Sequence, residues 1–190
     1  MRKLVLLTGL MVLMPLAMMA QDEIPQAEIY TGYSYLRLNK VDFNGWNVSI
    51  AGNINRHLAF VGDVSGLYNS ETRDVTGIQT DSKSSVYSIL AGPRISDTKG
   101  RWTPFVHLLG GWSRLNTEST SVTPTSTFST DLSQNGFGLA AGAGIDFNLN
   151  SGVNIRIVQA DYLLLRSSGQ KNEGARVSVG LVFRIGQKNP

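Results

Sequence analysis

Apolar residues alternate with small or polar residues along several segments of this chain. In the clearest segment, residues 136 to 149, one phase is entirely apolar and the other holds glycine, alanine and polar residues. Successive side chains of a β-strand point to opposite faces, so this pattern predicts a strand with one apolar face. The segment that ends at Ile185 repeats the pattern, with Arg176 and Arg184 on its polar face.

Six further segments fit the same period of two, and no segment of helical length shows a period of 3.6. The predicted strands cover residues 28–38, 45–54, 58–68, 85–95, 102–115, 136–149, 153–166 and 176–185. The connections at 55–57, 96–101 and 150–152 are short, whereas those at 69–84 and 116–135 are long and polar. The connection at 39–44 is short and the one at 167–174 is intermediate in length. If such strands close into a bacterial membrane barrel, the two long connections are expected to be outer loops, because these barrels have short periplasmic turns and longer outer loops.

The seventh strand does not keep one phase. Arg156 falls on one face, whereas Gln159 and Asp161 fall on the other. One extra residue in a strand shifts the phase of everything after it. A β-bulge near Ile157 or Val158 is therefore predicted, because it would turn all three polar side chains to the same side.

The small or polar phase of these strands suits the narrow lumen of a closed barrel, and the apolar phase suits lipid. We therefore predict an all-β fold, an eight-stranded antiparallel up-and-down transmembrane β-barrel. A soluble lipocalin-like barrel is the rival fold, with large apolar residues inside and polar ones outside. Aromatic residues fall at both ends of the predicted strands, as they do at the two interfaces of a membrane. Those expected at the outer end are Tyr35, Trp46, Tyr68, Tyr87 and Trp112, and those expected at the inner end are Phe60, Phe147 and Phe183.

The N-terminus changes this picture by adding an export signal. Arg2 and Lys3 precede an apolar run over 4–17, and small Ala20 precedes polar residues from Gln21 onward. This order is typical of a secretory signal peptide. A retained membrane helix is the alternative, but the run is shorter than the ~20 apolar residues that a span needs. The expected division is a signal peptide at 1–20, a short segment at 21–26, a barrel at 27–186 and a tail at 187–190.

Composition excludes several kinds of site. The chain has no cysteine, which excludes disulfides, thiolate metal ligands, a cysteine nucleophile and a lipid anchor on an N-terminal cysteine. Its net charge of +3 is not gathered into a basic cluster that could grip phosphates, so no nucleic-acid partner is expected. With two histidines and no cysteine, no metal site and no cofactor are expected.

The chain resembles the small outer-membrane β-barrel superfamily, typified by the transmembrane domain of outer-membrane protein A and by outer-membrane protein X. The resemblance covers about 27–186 and rests on the opening Gly-Tyr-Ser-Tyr at 32–35, the Leu-Ala-Gly-Pro-Arg at 90–94, the glycine-rich strand at 136–144 and the C-terminal strand. It implies a place in the outer membrane among its lipids. It also implies a C-terminal signal that the barrel-assembly machinery reads, here matched by Ser178, Gly180, Phe183 and Ile185. Many members end on an aromatic residue, whereas this chain continues through 187–190.

The candidate site is a set of charged residues that the phase assignment turns into the lumen. Four acids and four arginines make up this lumenal charge network, namely Glu28, Asp63, Asp146, Asp161, Arg94, Arg156, Arg176 and Arg184. Buried charges are tolerable when they are paired. Arg94 and Asp63, on neighbouring strands, are candidate partners. His107 should also face the lumen, where charges could tune its protonation.

Three functions are compatible with these features. The first is a structural or surface-interaction barrel with a lumen filled by side chains and a surface ligand bound through 69–84 and 116–135. The second is a narrow gated channel whose ion pairs rearrange to pass small solutes. The third is a lipid A-modifying barrel enzyme, although no catalytic set is evident and no enzymatic activity is expected. Eight strands enclose only enough room for side chains, which favours the first.

Overall fold

Eight antiparallel strands close into a single barrel in the computed structural model, which describes residues 25–75, 78–123, 126–167 and 170–186. Each strand pairs with the next along the chain, and β8 pairs with β1 to close the barrel. The strands are β1 (Ala27–Leu38), β2 (Val41–Asn53), β3 (Leu58–Val75), β4 (Ile78–Ser96), β5 (Trp102–Thr123), β6 (Ser126–Asn148), β7 (Val153–Ser167) and β8 (Gln170–Ile185). The predicted eight-stranded up-and-down barrel is confirmed.

The alternation places apolar side chains outside. Ile50, Ile89 and Leu108 point outward and keep 58%, 55% and 52% of their surface exposed, whereas the residues beside them in sequence are buried or point inward. This arrangement is the reverse of a lipocalin-like barrel, so the rival fold is wrong. A band of exposed branched residues around a closed barrel is what lipid solvates well.

The predicted bulge is confirmed in β7. The pairing register shifts between Arg156 and Gln159 against β8, and at the matching point against β6. Ile157 and Val158 both face outward as a result. Arg156, Gln159 and Asp161 are then all buried inside.

The prediction that 69–84 and 116–135 are loops is wrong. β3 and β4 stay paired up to Val75 and Ile78, and β5 and β6 stay paired up to Thr123 and Ser126. These segments are rich in serine and threonine and carry no apolar phase. None of the side chains described at 69–71, 81–84, 116–120 and 128–135 is buried, so water reaches both faces there. Threonine still favours extended backbone, so the ladder continues where the hydrophobic alternation stops.

The connections predicted at 39–44 and 167–174 are shorter in the structure, because the flanking strands extend into them. β2 restarts at Val41 after a turn of two residues, Asn39 and Lys40, whose φ angles are +48° and +72°. Positive φ at both central residues is the requirement of the tight hairpin turn that matches strand twist. β7 likewise reaches Ser167 and β8 begins at Gln170.

The barrel interior is divided between charge and hydrocarbon. Along β1 the buried side chains change from Glu28 near the chain terminus to Leu36 and Leu38 near the first hairpin. β4 and β7 show the same change, from Arg94 to Val86 and from Arg156 to Leu165, toward the end that holds the first hairpin. We call that end the outer end. The apolar residues buried there include Leu36, Leu38, Phe43, Leu67, Val86, Leu163 and Leu165. Leucines therefore fill the outer part of the lumen beside the small and polar residues that the phase pattern places inside.

Aromatic side chains ring the outside near both ends. The exposed rings of the outer belt include Tyr33, Trp46, Tyr68, Trp112, Phe137 and Tyr162. The exposed rings toward the inner end include Phe60, Trp102 and Phe183. Such belts mark the two interfaces of a membrane. Within the described ranges, no helix is long and apolar enough to cross a membrane.

The chain enters β1 through residues that are tied to the end of β2. The Asn53 side chain donates to the Pro25 carbonyl at 2.7 Å, and the Asn53 backbone N–H donates to the Gln26 carbonyl at 3.1 Å. The predicted signal peptide at 1–20 and tail at 187–190 lie outside the described residues and stay predictions.

Candidate functional site

The closed sheet turns all eight predicted charged residues into the barrel. Arg184 is half-buried at the inner end, and the other seven are buried. Each lies on the inward phase of its strand, so the barrel wall itself separates these charges from lipid. The hydrogen bonds among the residues divide the set into a central chain and a separate group at the inner end.

Arg176 lies at the centre of the chain, with no exposed surface. Its Nε donates to Asp161 Oδ2 at 2.8 Å, and its Nη1 donates to Asp63 Oδ1 at 3.0 Å. Nη1 also lies 3.3 Å from Ser65 Oγ. Nη2 lies 2.7 Å from Asp161 Oδ2, close enough for Coulombic attraction but without hydrogen-bond geometry. One guanidinium thus joins carboxylates from opposite sides of the lumen.

Asp161 connects Arg176 to a second set of polar groups. Its Oδ1 lies 2.8 Å from His107 Nε2, and its Oδ2 accepts from Gln159 Nε2 at 2.9 Å. The bulge in β7 is what brings Gln159 and Asp161 to the same face. His107 faces inward as expected, and its imidazole is fixed by a buried carboxylate.

Arg156 and Asp146 form a two-point ion pair below this centre. Arg156 Nε and Nη2 donate to the two Asp146 oxygens at 2.8 and 3.1 Å, and Nη1 donates to Gln159 Oε1 at 2.7 Å. The same guanidinium lies 4.4 Å from the ring centroids of Tyr30 and Phe105. Paired carboxylate and aromatic faces together replace the water that the charge loses on burial.

Glu28 forms the separate group at the inner end. Arg94 Nη2 donates to Glu28 Oε2, and Arg184 Nε lies 3.9 Å from Glu28 Oε1. Arg94 is therefore not the partner of Asp63, because Asp63 pairs across the lumen with Arg176. In the β3–β4 register Arg94 stands opposite Ala59, four residues from Asp63.

Several polar residues of this interior were not singled out from the sequence. Asn47 donates to Asp63 Oδ2 at 2.8 Å, and buried serine pairs join Ser34 to Ser178 at 2.6 Å and Ser65 to Ser88 at 2.7 Å. The period-two phase already places each of these residues inside, but an uncharged side chain gives no separate signal of a role. No group of three or more potential metal-ligating side chains occurs in the part of the chain that the structure describes.

The four residues of the predicted assembly signal lie on β8. Ser178 points inward, whereas Phe183 and Ile185 point outward and are exposed. Gly180 stands opposite Gly32, and a side chain at Gly180 would collide with the β1 backbone. Close approach of the closing strands explains the glycine, and the role of the four residues in assembly stays a prediction.

Solved structures share this architecture at low sequence identity. Ail, the attachment invasion locus protein of Yersinia pestis, is 17% identical with a TM-score of 0.59 over 85% of this chain and 99% of its own. Neisserial surface protein A is 15% identical with a TM-score of 0.61 over 84% and 97%. OprG of Pseudomonas aeruginosa, an outer membrane protein, is 11% identical with a TM-score of 0.54 over 85% and 96%. At such identities the likeness shows the fold alone.

No curated protein matches this chain in sequence. The model of the outer membrane protein beta-barrel domain family matches residues 6–184, which is nearly the whole chain. That match, the closed barrel and the two aromatic belts place the protein in the bacterial outer membrane. The chain therefore belongs to the outer membrane protein beta-barrel domain family.

Proposed function

We propose that this protein is a non-conducting outer-membrane barrel that acts at the cell surface through the outer extensions of β3 to β6. Its environment is the lipid of the outer membrane, and its insertion depends on the barrel-assembly machinery through the β8 signal. The observation that carries the surface role is a paired sheet that continues beyond the barrel and ends, within the described ranges, in a strand that pairs on one side only.

Two features of the lumen support a filled interior. The central charges form a continuous hydrogen-bonded chain from Asp146 through Arg156, Gln159 and Asp161 to Arg176. Beyond it, toward the outer end, buried leucines pack against one another. An ion would have to break paired charges and then cross hydrocarbon, and both steps are unfavourable. His107 is sealed in the same interior, which supports a structural role for it and no catalytic one.

We call the extensions the outer sheet and define it as residues 69–75 of β3, 78–84 of β4, 116–123 of β5 and 126–136 of β6. β6 separates from its β7 neighbour beyond Phe137, whose partner is Arg166 near the end of β7. At ~3.3 Å per residue, the remainder of β6 extends roughly 35 Å along the strand. A structure of this size beyond the outer belt serves no purpose in anchoring the barrel in lipid.

The two edges of the outer sheet differ in composition. The β3 edge carries Glu71, Arg73 and Asp74 within seven residues, and charges of this kind discourage pairing with other strands. Asp131 is the one charged residue in the sequence of the β6 edge, 126–136. Phe128 and Leu132 are exposed there, on the face that continues the lumen side of β6. Among the described residues, 126–136 pair on one side only, with β5. The β6 edge therefore suits an extended partner strand with apolar side chains at alternate positions.

Charge narrows the class of partner. One structure of Ail holds the heparin analogue sucrose octasulfate. In this chain residues 69–84 and 116–135 carry five acids, Glu71, Asp74, Asp81, Glu118 and Asp131, and two bases, Arg73 and Lys83. This net negative charge disfavours a sulfated polymer that would lie along the whole sheet. A neutral or cationic peptide strand is the partner that this surface favours.

Peptide binding tests the proposal. A labelled short peptide of alternating valine and threonine with lysine ends should bind the purified barrel, because it can continue the sheet beside β6. Leu132→Lys should weaken binding about 10-fold or more by replacing an apolar contact with a repelling charge. Ser70→Lys on the β3 edge is the matched control and should bind as wild type does.

N-methylation of alternate peptide residues removes the backbone donors and should abolish binding if strand addition is the mode. Equal binding by the methylated peptide, or equal loss in the Leu132 and Ser70 variants, would contradict the role of the β6 edge.

Planar-bilayer recording separates this proposal from the channel alternative. The wild-type barrel should show no steady conductance, and Arg94→Ala should add at most a small leak. Arg94 belongs to the inner group, so its loss leaves the central chain and the outer leucines in place. Large stable channels from the wild type would replace the filled-lumen proposal with the channel.

A further inference from the structure

A pocket opens on the outward face at the base of the outer sheet, just beyond the tyrosines of the outer belt. Its volume is about 250 Å³, and it is lined by residues of three adjacent strands. The lining residues on the outward phase are Tyr68, Ser70, Lys83, Ser85, Tyr87, Asn116 and Glu118. We call it the interfacial pocket. The lumenal charge network and the β6 edge share no residue with it.

The depth of the interfacial pocket relative to the membrane follows from the strand register. Tyr68 and Tyr87 form its floor, with ring centroids 5.8 Å apart in an edge-to-face arrangement. Ser70 is two residues beyond Tyr68 on β3, a rise of about 5–7 Å along a tilted strand. Lys83 faces both Ser70 and Glu118 and is four residues beyond Tyr87 on β4, a rise of about 10–13 Å. Lipid headgroups occupy a layer of about 5–7 Å on each side of the hydrocarbon. The pocket thus begins at headgroup level, and Lys83 lies at the outer edge of that layer.

The chemistry of the interfacial pocket is mixed rather than purely cationic. Lys83 supplies a point charge that makes no ion pair within the described residues. Asn116 and the serines supply neutral donors and acceptors, and Glu118 can accept from hydroxyl groups. Tyr68 and Tyr87 offer ring faces and edges with hydroxyls. A simple phosphate would use only the lysine, whereas a phosphorylated sugar would use all of these groups.

Arg114 lies beside this pocket and holds Asn116, one of its lining residues. It stands opposite Tyr87 on β5, and its Nε donates to Asn116 Oδ1 at 2.9 Å while its Nη2 donates to Ser133 Oγ at 3.1 Å. The Asn116 carboxamide oxygen thereby accepts one hydrogen bond, and its NH₂ group can donate to a ligand. Arg114 also adds a second positive charge beside the pocket. One cation beyond the aromatic floor and one beside it favour an anionic group from the lipid side.

We infer that the interfacial pocket binds the phosphorylated sugar headgroup of an outer-leaflet glycolipid, with Lys83 on the phosphate and Asn116 and Glu118 on sugar hydroxyls. The acyl chains of the same lipid would lie along the outward apolar face below Tyr68 and Tyr87. This arrangement ties one lipid molecule to the junction between barrel and outer sheet, independently of any partner at the β6 edge.

Lipid titration of the purified full barrel in detergent, followed by native mass spectrometry, tests the inference. Diphosphorylated lipid A should bind with a saturable affinity about 10-fold or more above that of phosphatidylglycerol, which has a phosphate but no phosphorylated sugar. Glucosamine 1-phosphate, which lacks acyl chains, should bind far more weakly than the lipid.

Lys83→Gln should lower lipid A affinity about 10-fold, because a charge-assisted hydrogen bond to phosphate is lost. Lys83→Arg should restore most of it. Lys99→Gln, which removes an exposed lysine at the inner end, should bind as wild type does. Equal affinities of the Lys83→Gln and Lys99→Gln variants would overturn the site. Equal binding of phosphatidylglycerol would overturn the sugar specificity, and equal binding of glucosamine 1-phosphate would overturn the lipid as the source.

Discussion

Arg176→Met is expected to destabilise the folded barrel by about 3–5 kcal/mol, the cost of leaving buried charge without its partner. Arg176 is fully buried and lies between Asp161 and Asp63. Methionine fills much of the same volume but offers no donors. The two carboxylates would then lose their shared cation, and Gln159 and His107 beside Asp161 and Asn47 beside Asp63 cannot replace that charge. Water that enters the lumen would reduce the cost toward the lower end of this range.

Urea unfolding of the barrel in lipid vesicles, read by heat-modifiable gel migration, measures this change. Arg37→Met is the matched control. Arg37 lies 3.7 Å from Asp42 in an exposed pair at the outer end, and exposed ion pairs contribute little to stability. A loss in the Arg176 variant no larger than in the Arg37 variant would contradict the view that this guanidinium holds the lumen together.

A triple variant sharpens the test. Adding Asp161→Asn and Asp63→Asn to Arg176→Met removes the charges that the first change left unpaired. The triple variant should therefore recover much of the lost stability, because replacing a whole buried ionic group costs less than breaking it. Additive losses from the three changes would mean that the residues do not act as one unit.

Strand number and side-chain phase could be predicted because a barrel in lipid imposes period two on every membrane-spanning strand. The β7 bulge could be predicted from the same rule, since charges on both faces of one strand would otherwise expose Arg156 or Asp161 to lipid. The rule fails in the outer sheet. There both faces stand in water, and serine and threonine on either face leave no alternation to detect.

The partners inside the lumen could not be predicted from phase alone. The side-chain phase shows that Arg94 and Asp63 both point inward. It does not show how far each strand is shifted lengthwise against its neighbour. Glu28 and Arg94 are 66 residues apart in sequence and lie on strands that are not neighbours. Which charges meet across a narrow lumen depends on barrel diameter and shear, and these follow from closure rather than from any local pattern. The filling of the outer lumen follows from closure as well, because phase turns Leu36 and Leu165 inward but does not show that their side chains meet there.

Leu108→Arg is expected to destabilise the folded, membrane-inserted barrel by about 2–4 kcal/mol, the cost of arginine on the lipid face near the middle of the membrane. Leu108 is more than half exposed, points outward, and lies on β5 between Trp112 of the outer belt and Trp102 near the inner end. Outward Leu139 and Ile145 are each two residues from a belt ring on β6, so Leu139→Arg and Ile145→Arg should cost less.

Folding into vesicles, measured as the folded fraction by gel migration, should therefore fall most for Leu108→Arg and less for the two β6 variants. Gly138→Ser should be tolerated better than all three. Its new side chain would meet Leu90 Cδ2 near 3.0 Å inside the lumen, and the end of a leucine can move aside. Asp131→Arg, which adds the same cation to the outward phase of β6 above the belt, should fold as wild type does. The order of the costs is the real test, because a cation on a lipid-facing surface is penalised by depth. If Leu108→Arg and Asp131→Arg fold equally well, the outward face of this barrel does not contact lipid where the two aromatic belts place it.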